Sequence, residues 1–404
     1  MNRVLLIGCG AEIGASLVAM NDPAADGFRI TTILTHPIEG DTKHPHLDAL
    51  DALYARIVLA EPELLDVVRV DRVQQALVVR GHLIRVVWGD SQTADLTALG
   101  ERYAVAILAT SKKEIGDDAV IRRFTDVARF VVGVAEAAQL PSLYINLIGA
   151  PSRFLPNPLR SIGADRVFAL GSCQSNGWAA QLRGLLELAE RMDVSQWDIR
   201  RLEVDIVHPD TPTGRLGTKS FEARSQDARN NLRPSFSQLE MAMATLFPEV
   251  PGVNTVALRT LIMPPGYQLS RFFLRYRTAS GVRITHRDVA AAFADTAVRL
   301  PHTLRMADVP LGSRGFERCR ASAVVLASER FLQWSDDAFG IGGNPVSELL
   351  VQAYVHNVRG YCRSVLDAVR YLTTATRPEC FTTLSRAART MPSVAPMHAH
   401  SQIV

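Results

Sequence analysis

An α/β architecture in two parts is predicted for this chain of 404 residues, and three observations lead to it. Short aliphatic and β-branched runs alternate with helix-like stretches through the first third of the chain, and a glycine turn closes the first of those runs. The composition, 47% hydrophobic and 21% charged, supplies apolar material for two cores. Alternation of this kind favours an open sheet whose strands are joined by helical crossovers.

Taken in order, Val4-Leu5-Leu6-Ile7 reads as a strand, Gly8-Cys9-Gly10 as a turn, and Ile13-Gly14-Ala15-Ser16-Leu17-Val18 as a helix. Such a turn lets backbone approach a pyrophosphate and aims the first N–H groups of the helix at it. Gly8, Gly10, Ile13 and Gly14 are therefore candidate nucleotide contacts. The spacing is G-x-G-x-x-x-G, one residue longer than the usual fingerprint, and Glu12 brings negative charge toward the phosphates. A turn that only packs strand on helix fits the same residues.

The run Ile30 to Leu34 should pair beside the first strand. It ends in Thr35-His36, where many dinucleotide enzymes keep a carboxylate for the adenosine ribose. Without that carboxylate a 2′-phosphate meets no repulsion, so NADP stands open beside NAD, with Thr35 at the ribose and His36 and Lys43 as neighbours. Further strands are expected at Gln75–Val79, Ile84–Val87, Val105–Ala109, Phe130–Val134 and Leu143–Asn146. Thr110, directly after the third of these, joins the nucleotide-binding set.

Bulk properties narrow the partners. A net charge of +3, from 44 basic and 41 acidic residues, offers no concentrated field for nucleic acid. No apolar run is long enough to span a bilayer, and Glu12 with three glycines interrupts the stretch from Met1 to Met20, which argues against a signal peptide. Cys9, Cys173, Cys319, Cys362 and Cys380 are odd in number and widely spaced, which predicts free thiols and a cytoplasmic location.

The most informative segment is Leu170-Gly171-Ser172-Cys173-Gln174-Ser175-Asn176-Gly177-Trp178, followed by an amphipathic stretch to Met192. A cysteine at a helix start lies at the positive end of the dipole, which favours the nucleophilic thiolate. The next strand-like run, Leu202 to Val207, ends at His208, a base that can close one site with Cys173. Read from the residues alone, an inert buried thiol is the commoner fate of a lone cysteine.

These segments resemble the glyceraldehyde-3-phosphate dehydrogenase family. Its A-S-C-T-T-N motif corresponds to Gly171-Ser172-Cys173-Gln174-Ser175-Asn176, and its V-H-x-x-T to Val207-His208-Pro209-Asp210-Thr211. Leu232-Arg233-Pro234-Ser235-Phe236-Ser237 looks like I-I-P-T-T-T-G, and Ala257-Leu258-Arg259 with Met263-Pro264-Pro265 is similar to F-R-V-P-T-P. Tyr354-Val355-His356-Asn357-Val358-Arg359-Gly360-Tyr361 resembles W-Y-D-N-E-W-G-Y, and Leu77 to His82 resembles L-V-V-D-G-K.

The resemblance implies Cys173 as nucleophile, His208 as its base, and Ser172, Asn176, Thr211, Ser237 and Arg259 around a small anionic substrate, with Arg259 as the anion clamp. It implies Asn357 at the nicotinamide amide of NAD or NADP. It further implies a Rossmann-like nucleotide-binding domain over 1–172, completed by a C-terminal helix over 354–372. An α+β catalytic domain with an antiparallel sheet is implied over 173–353, with a mobile tail over 373–404. Homotetramers are usual in the family, and the Thr213 to Asn231 loop occupies the place of one that reaches an adjacent cofactor site.

Departures from the family pattern point to a diverged member in specialised metabolism. Gln174 and Gln238 replace small residues near the site used by inorganic phosphate and are expected to fill it. The alternative is a non-redox acyltransferase or hydrolase using the same thiol, or a binding protein. His44-Pro45-His46 and His398-Ala399-His400 lack metal-ligand spacing, Gly340 to Pro345 reads as a turn, and Trp178 as core.

Overall fold

In the computed structural model, residues 1–37, 47–155, 165–209, 232–341 and 344–374 are described. The first sheet contains β1 (Asn2–Ile7), β2 (Phe28–Thr35), β3 (Val68–Asp71), β4 (Ala76–Val79), β5 (His82–Trp88), β6 (Tyr103–Leu108), β7 (Ala128–Gly133) and β8 (Val167–Ala169), in the order β3-β4-β5-β2-β1-β6-β7-β8. From β5 to β8 every pair is parallel, while β3, β4 and β5 form an antiparallel extension.

The continuous apolar runs follow from burial on both faces. Val4 and Leu6 pack with the helices α1 (Glu12–Met20) and α3 (Ala49–Ala60). Leu5 and Ile7 face the opposite core, with Val120, Ile121 and Phe124 of α5 (Asp118–Val127). Two short helices, α2 (Pro23–Asp26) and α4 (Lys112–Ile115), complete this half of the chain.

After β1 the chain moves to one side of that strand, and after β5 it crosses back to place β6 on the other side. The reversal opens a crevice beyond the carboxyl ends of β1, β2 and β6, the position where open α/β sheets bind ligands. Gly8 has φ +87°, and a Cβ at Gly14 would lie 2.0 Å from the Gly8 carbonyl, so both glycines are required by the turn and its contact with α1.

The expected strand at Leu143–Asn146 is instead a single bridge from Ser142 to Ala169 followed by a 3₁₀ turn over Ile145–Leu147. The Asn146 amide explains the departure. It is buried, donates to the Asn176 carbonyl (2.9 Å) and Ser322 Oγ (3.1 Å), and accepts from Thr303 Oγ1 (3.0 Å), so this segment is tied to the second half of the chain.

That second half holds β9 (Val194–Pro209), β10 (Arg233–Ser235), β11 (Gly252–Thr260), β12 (Gly266–Thr278), β13 (Leu304–Ala307), β14 (Ala323–Leu326), β15 (Leu332–Ile341) and β16 (Asn344–Val355). Their order is β10-β11-β9-β12-β16-β14-β13, with β15 also on β16. The antiparallel expectation needs correction: β9 with β11 and β13 with β14 are parallel, so the sheet is mixed. β11 is reached from β9 through a long excursion, which permits the parallel pairing.

Leu202, Val204 and Ile206 of β9 face a core shared with α6 (Cys173–Arg191), α7 (Leu239–Leu246) and α8 (His286–Arg299). Alternate residues face away from that core, and Asp205 pairs with Arg271 there at 2.9 Å. Trp178 is core as expected, stacked on Phe272 and edge-on to Phe247. Of the expected turn over Gly340 to Pro345, Gly340 and Ile341 pair as strand with Pro345 and Asn344, and Gly342 and Gly343 lie outside the described residues.

The last helix, α9 (Arg359–Thr374), starts after β16 rather than at 354 and packs Tyr361, Val365, Leu366, Val369 and Leu372 into the first sheet's core. Residues beyond 374, including the expected tail and Cys380, lie outside the described residues. No helix among the described residues is long and apolar enough to cross a membrane.

Candidate functional site

Cys173 is the first residue of α6, and the backbone before it is held at each position. Gly171 has φ +77°, where the Tyr144 ring would lie 2.7 Å from an added Cβ. The Gly171 carbonyl accepts from Tyr361 Oη at 2.6 Å, and the Ser172 N–H donates to Glu136 Oε1 at 3.2 Å. Ser172 caps the helix, its Oγ accepting from the Ser175 N–H at 3.2 Å. Asn176 donates to the carbonyls of Leu170 (2.8 Å) and Ser172 (3.0 Å). A nucleophile at the tip of so fixed a turn loses little freedom on reaction.

His208 lies near the end of β9, and in the parallel register its neighbour on β11 is Arg259. Its Nε2 is 3.6 Å from Cys173 Sγ and 2.9 Å from Asn357 Nδ2. Its Nδ1 is 2.5 Å from the Pro209 carbonyl and 3.3 Å from Arg259 Nη1.

These neighbours select a tautomer. The Asn357 Oδ1 accepts from the Gly266 N–H at 3.0 Å, so the side chain turns its NH₂ toward Nε2. Among the described contacts, a carbonyl at Nδ1 and a donor at Nε2 both favour the Nδ1–H form, and the Arg259 donor opposes it. Nε2 then carries the lone pair that faces the thiol, as a base must.

Burial raises the Cys173 thiol above the ordinary thiol range, while the Asn357 amide, the Gln174 N–H and the Arg259 charge act in the opposite direction. Desolvation is the largest of these influences and sets the net direction, so the helix start does not make this thiol acidic.

Several expectations change. Asn176 is 1% exposed and bonded to backbone, so it supports the turn rather than facing a substrate. Ser237 Oγ accepts from the Leu239 N–H at 3.1 Å at the start of α7, whereas Ser235 Oγ accepts from Arg259 Nε at 2.9 Å. The serine that meets Arg259 is therefore Ser235, two residues before the one that the motif implied.

Gln174 does not fill an anion site. It is buried in the first turn of α6 and accepts from Gln268 Nε2 at 3.1 Å. Gln238 Oε1 instead accepts from the Glu136 N–H at 3.2 Å. Thr211 and the Thr213 to Asn231 loop lie outside the described residues, as do Lys43, His44, His46, His398 and His400.

Beyond the ends of β1, β2 and β6 is a cavity of about 530 Å³ lined by Gly8, Gly10, Thr35, His36, Arg56 and Thr110 among others. Ile13 and Gly14 do not line it: Ile13 packs against the core and Gly14 against Gly8. Thr35 is 5% exposed, and its Oγ1 accepts from the Cys9 N–H at 3.2 Å, which fixes the glycine turn. Thr110 Oγ1 is buried with no partner at hydrogen-bonding distance among the described residues, although it lies close enough to Glu114 to favour the ionised carboxylate.

The start of α9 joins the two regions. Cys362 Sγ contacts the Ile13 carbonyl at 3.7 Å beside the glycine turn, while Asn357 and Tyr361 reach Cys173 and Gly171. Glu136 and Arg56 were missing from the motif reading, and Ser235 and Tyr361 stood in its matched segments without a role. For Glu136 a signal existed, since it is the one charged residue between Phe130 and Leu140.

Comparison with models of known protein families finds none that matches this chain, and no curated protein matches it either.

Proposed function

We propose that this chain is an NAD(P)-dependent oxidoreductase of the glyceraldehyde-3-phosphate dehydrogenase type that acts on a small anionic aldehyde. The observation that carries the reading is the 3.6 Å approach of Cys173 Sγ to the lone-pair nitrogen of His208, with Arg259 beside the same ring.

A dinucleotide fits the residues present. The Gly8 and Gly14 contacts leave an open backbone turn, the buried Thr110 hydroxyl has no partner at hydrogen-bonding distance among the described residues, and the cavity lies at the switch point of a parallel sheet. Gly8, Gly10 and Thr110 would hold the nucleotide, with Asn357 at its reactive end. When bound, it accepts a hydride. In this reading residues 1–172 with the last helix form a Rossmann-like unit, and 173–353 carry catalysis.

The chain's own residues supply the rest. His208 Nε2 takes the Cys173 proton as sulfur adds to the aldehyde carbon, giving a thiohemiacetal. Arg259 attracts the substrate's anionic group. The same imidazole, having passed that proton to the carbonyl oxygen to complete the thiohemiacetal, removes the resulting hydroxyl proton as hydride leaves carbon, and a thioester on Cys173 remains. Water or another acyl acceptor then releases the acid, and the thiol is regenerated.

The test is unfolding temperature against saturating NAD⁺, NADH, NADP⁺ and NADPH, because a ligand of the native state must raise it. A shift with any of them, together with aldehyde-dependent reduction that Cys173→Ser abolishes, supports the reading. No shift with all four removes redox chemistry and leaves thiol-dependent acyl transfer or hydrolysis.

A further inference from the structure

We infer that the nucleotide bound beside the glycine turn carries a 2′-phosphate, with Arg56 as its principal partner and His36 as the second. The inference rests on the nucleotide reading above and commits it to NADP(H).

Three features of the cavity point this way. First, β2 ends without a carboxylate. Thr35 stands there with its hydroxyl turned inward to the Cys9 N–H, and the next side chain, His36, is exposed at the cavity. Among the described residues no carboxylate acceptor for a ribose 2′-hydroxyl stands at that strand end, and a donor has taken the adjoining place.

Second, Arg56 reaches the same cavity from α3. The inward face of that helix is Leu50, Leu53 and Ile57, and Arg56 is exposed beside it. The helix start is fixed by reciprocal capping between Asp48 and Asp51 and by Arg72, whose Nη2 is 2.6 Å from Asp51 Oδ1. Arg56 is near enough to the turn to act electrostatically on Cys9. A guanidinium is permanently charged and matches phosphate oxygens in pairs.

Third, the carboxylates of the cavity have other partners. Asp90 accepts from the N–H groups of Gln92 (2.7 Å) and Thr93 (2.6 Å), and from Thr93 Oγ1. Glu114 accepts from Ser91 Oγ (2.8 Å) and from the Ser111 N–H (3.1 Å). Asp90 is also close enough to His36 to interact with its charge, so Arg56 ranks first of the two cations.

The experiment titrates the full chain with NADP⁺, NAD⁺, 2′,5′-ADP and 5′-ADP by calorimetry, and repeats the series on Arg56→Ala and Arg56→Lys. Arg56 is exposed, so an unchanged unfolding temperature without ligand verifies the fold of each variant. NADP⁺ should bind at least tenfold tighter than NAD⁺, and 2′,5′-ADP should compete with it where 5′-ADP does not. Arg56→Ala should weaken NADP⁺ by roughly 10- to 100-fold, as removal of a charged hydrogen-bond pair does, with Arg56→Lys intermediate. NAD⁺ binding as tightly as NADP⁺, or an equal loss for both in Arg56→Ala, overturns the 2′-phosphate and leaves the dehydrogenase reading intact. If no nucleotide binds, both fail.

Discussion

Asn357 turns its amide NH₂ toward both His208 and Cys173, 2.9 Å from His208 Nε2 and 3.4 Å from Cys173 Sγ. It thereby selects the tautomer of His208 and donates to whatever charge develops on sulfur. Loss of that donor leaves the thiolate less stabilised. Asn357→Ala should therefore move the pH midpoint of Cys173 alkylation by iodoacetamide upward and slow alkylation at pH 8 roughly tenfold, the scale of a hydrogen bond to a charged group. An unchanged profile would remove Asn357 from the site.

Cys173 itself should show no neutral-pH plateau. Burial holds its thiol above the ordinary range near 9.0. Since only the thiolate reacts, the alkylation rate in the absence of substrate should keep climbing as pH rises past 9.0. Saturation below pH 7 would mean a preformed thiolate–imidazolium pair with His208, and the proton transfer would then precede substrate binding.

Arg259 is the third test of the site. It bonds Ser235 Oγ at 2.9 Å and lies 3.3 Å from His208, and in the proposed reaction its charge attracts the anionic group of the substrate. Arg259→Ala should cost an anionic substrate about 2–4 kcal/mol, or roughly 30- to 1,000-fold in kcat/KM. Neutral aldehydes should lose far less. Equal losses for both would assign Arg259 to holding His208 rather than to binding.

The parts legible in the sequence are those with local chemistry. The runs around Leu6, Ile33 and Ile107 read as strands because burial on both faces makes them continuously apolar, and Ser172-Cys173 carries its own cap. His208 and Arg259 were both singled out, but their meeting depends on the register of β9 with β11, which no local pattern contains. Glu136 and Tyr361 act on the turn from 36 and 190 residues away. Gln174 was misplaced because helix rotation, which sends it toward Gln268, is invisible in a motif match.

Glu136 is 1% exposed, and burial raises its carboxyl above the ordinary value of 4.5 even though Tyr144 Oη (3.0 Å) and the Ser172 N–H donate to it. A carboxyl raised on folding contributes stability below its unfolded pKa and loses it as pH rises through the folded one. Glu136→Gln keeps an acceptor for Ser172 without the charge. It should raise the unfolding temperature by about 2 °C at pH 8, for roughly 1 kcal/mol, and the gain should vanish near pH 4.5. A gain that persists unchanged in acid would show that the carboxyl is not the cause.

Arg363 and Asp26 join the last helix to α2 through a buried ion pair at 2.7 Å, with Asp367 2.9 Å from the same guanidinium nitrogen. Asp26 also accepts from Asn21 Nδ2 (2.9 Å) and from the Asp22 N–H (3.0 Å). Arg363→Met would strand the Asp26 charge at a cost of about 3–5 kcal/mol. Asp26→Asn combined with Arg363→Met should recover most of it, because an amide carbonyl can still accept those bonds. The same helix carries Tyr361 to the Gly171 carbonyl, and Asn357 precedes its first turn. Loosening this helix should therefore alter Cys173 alkylation in Arg363→Met at temperatures well below unfolding, and the double variant should restore both. Recovery of stability without recovery of alkylation would separate the ion pair from the alignment of the site.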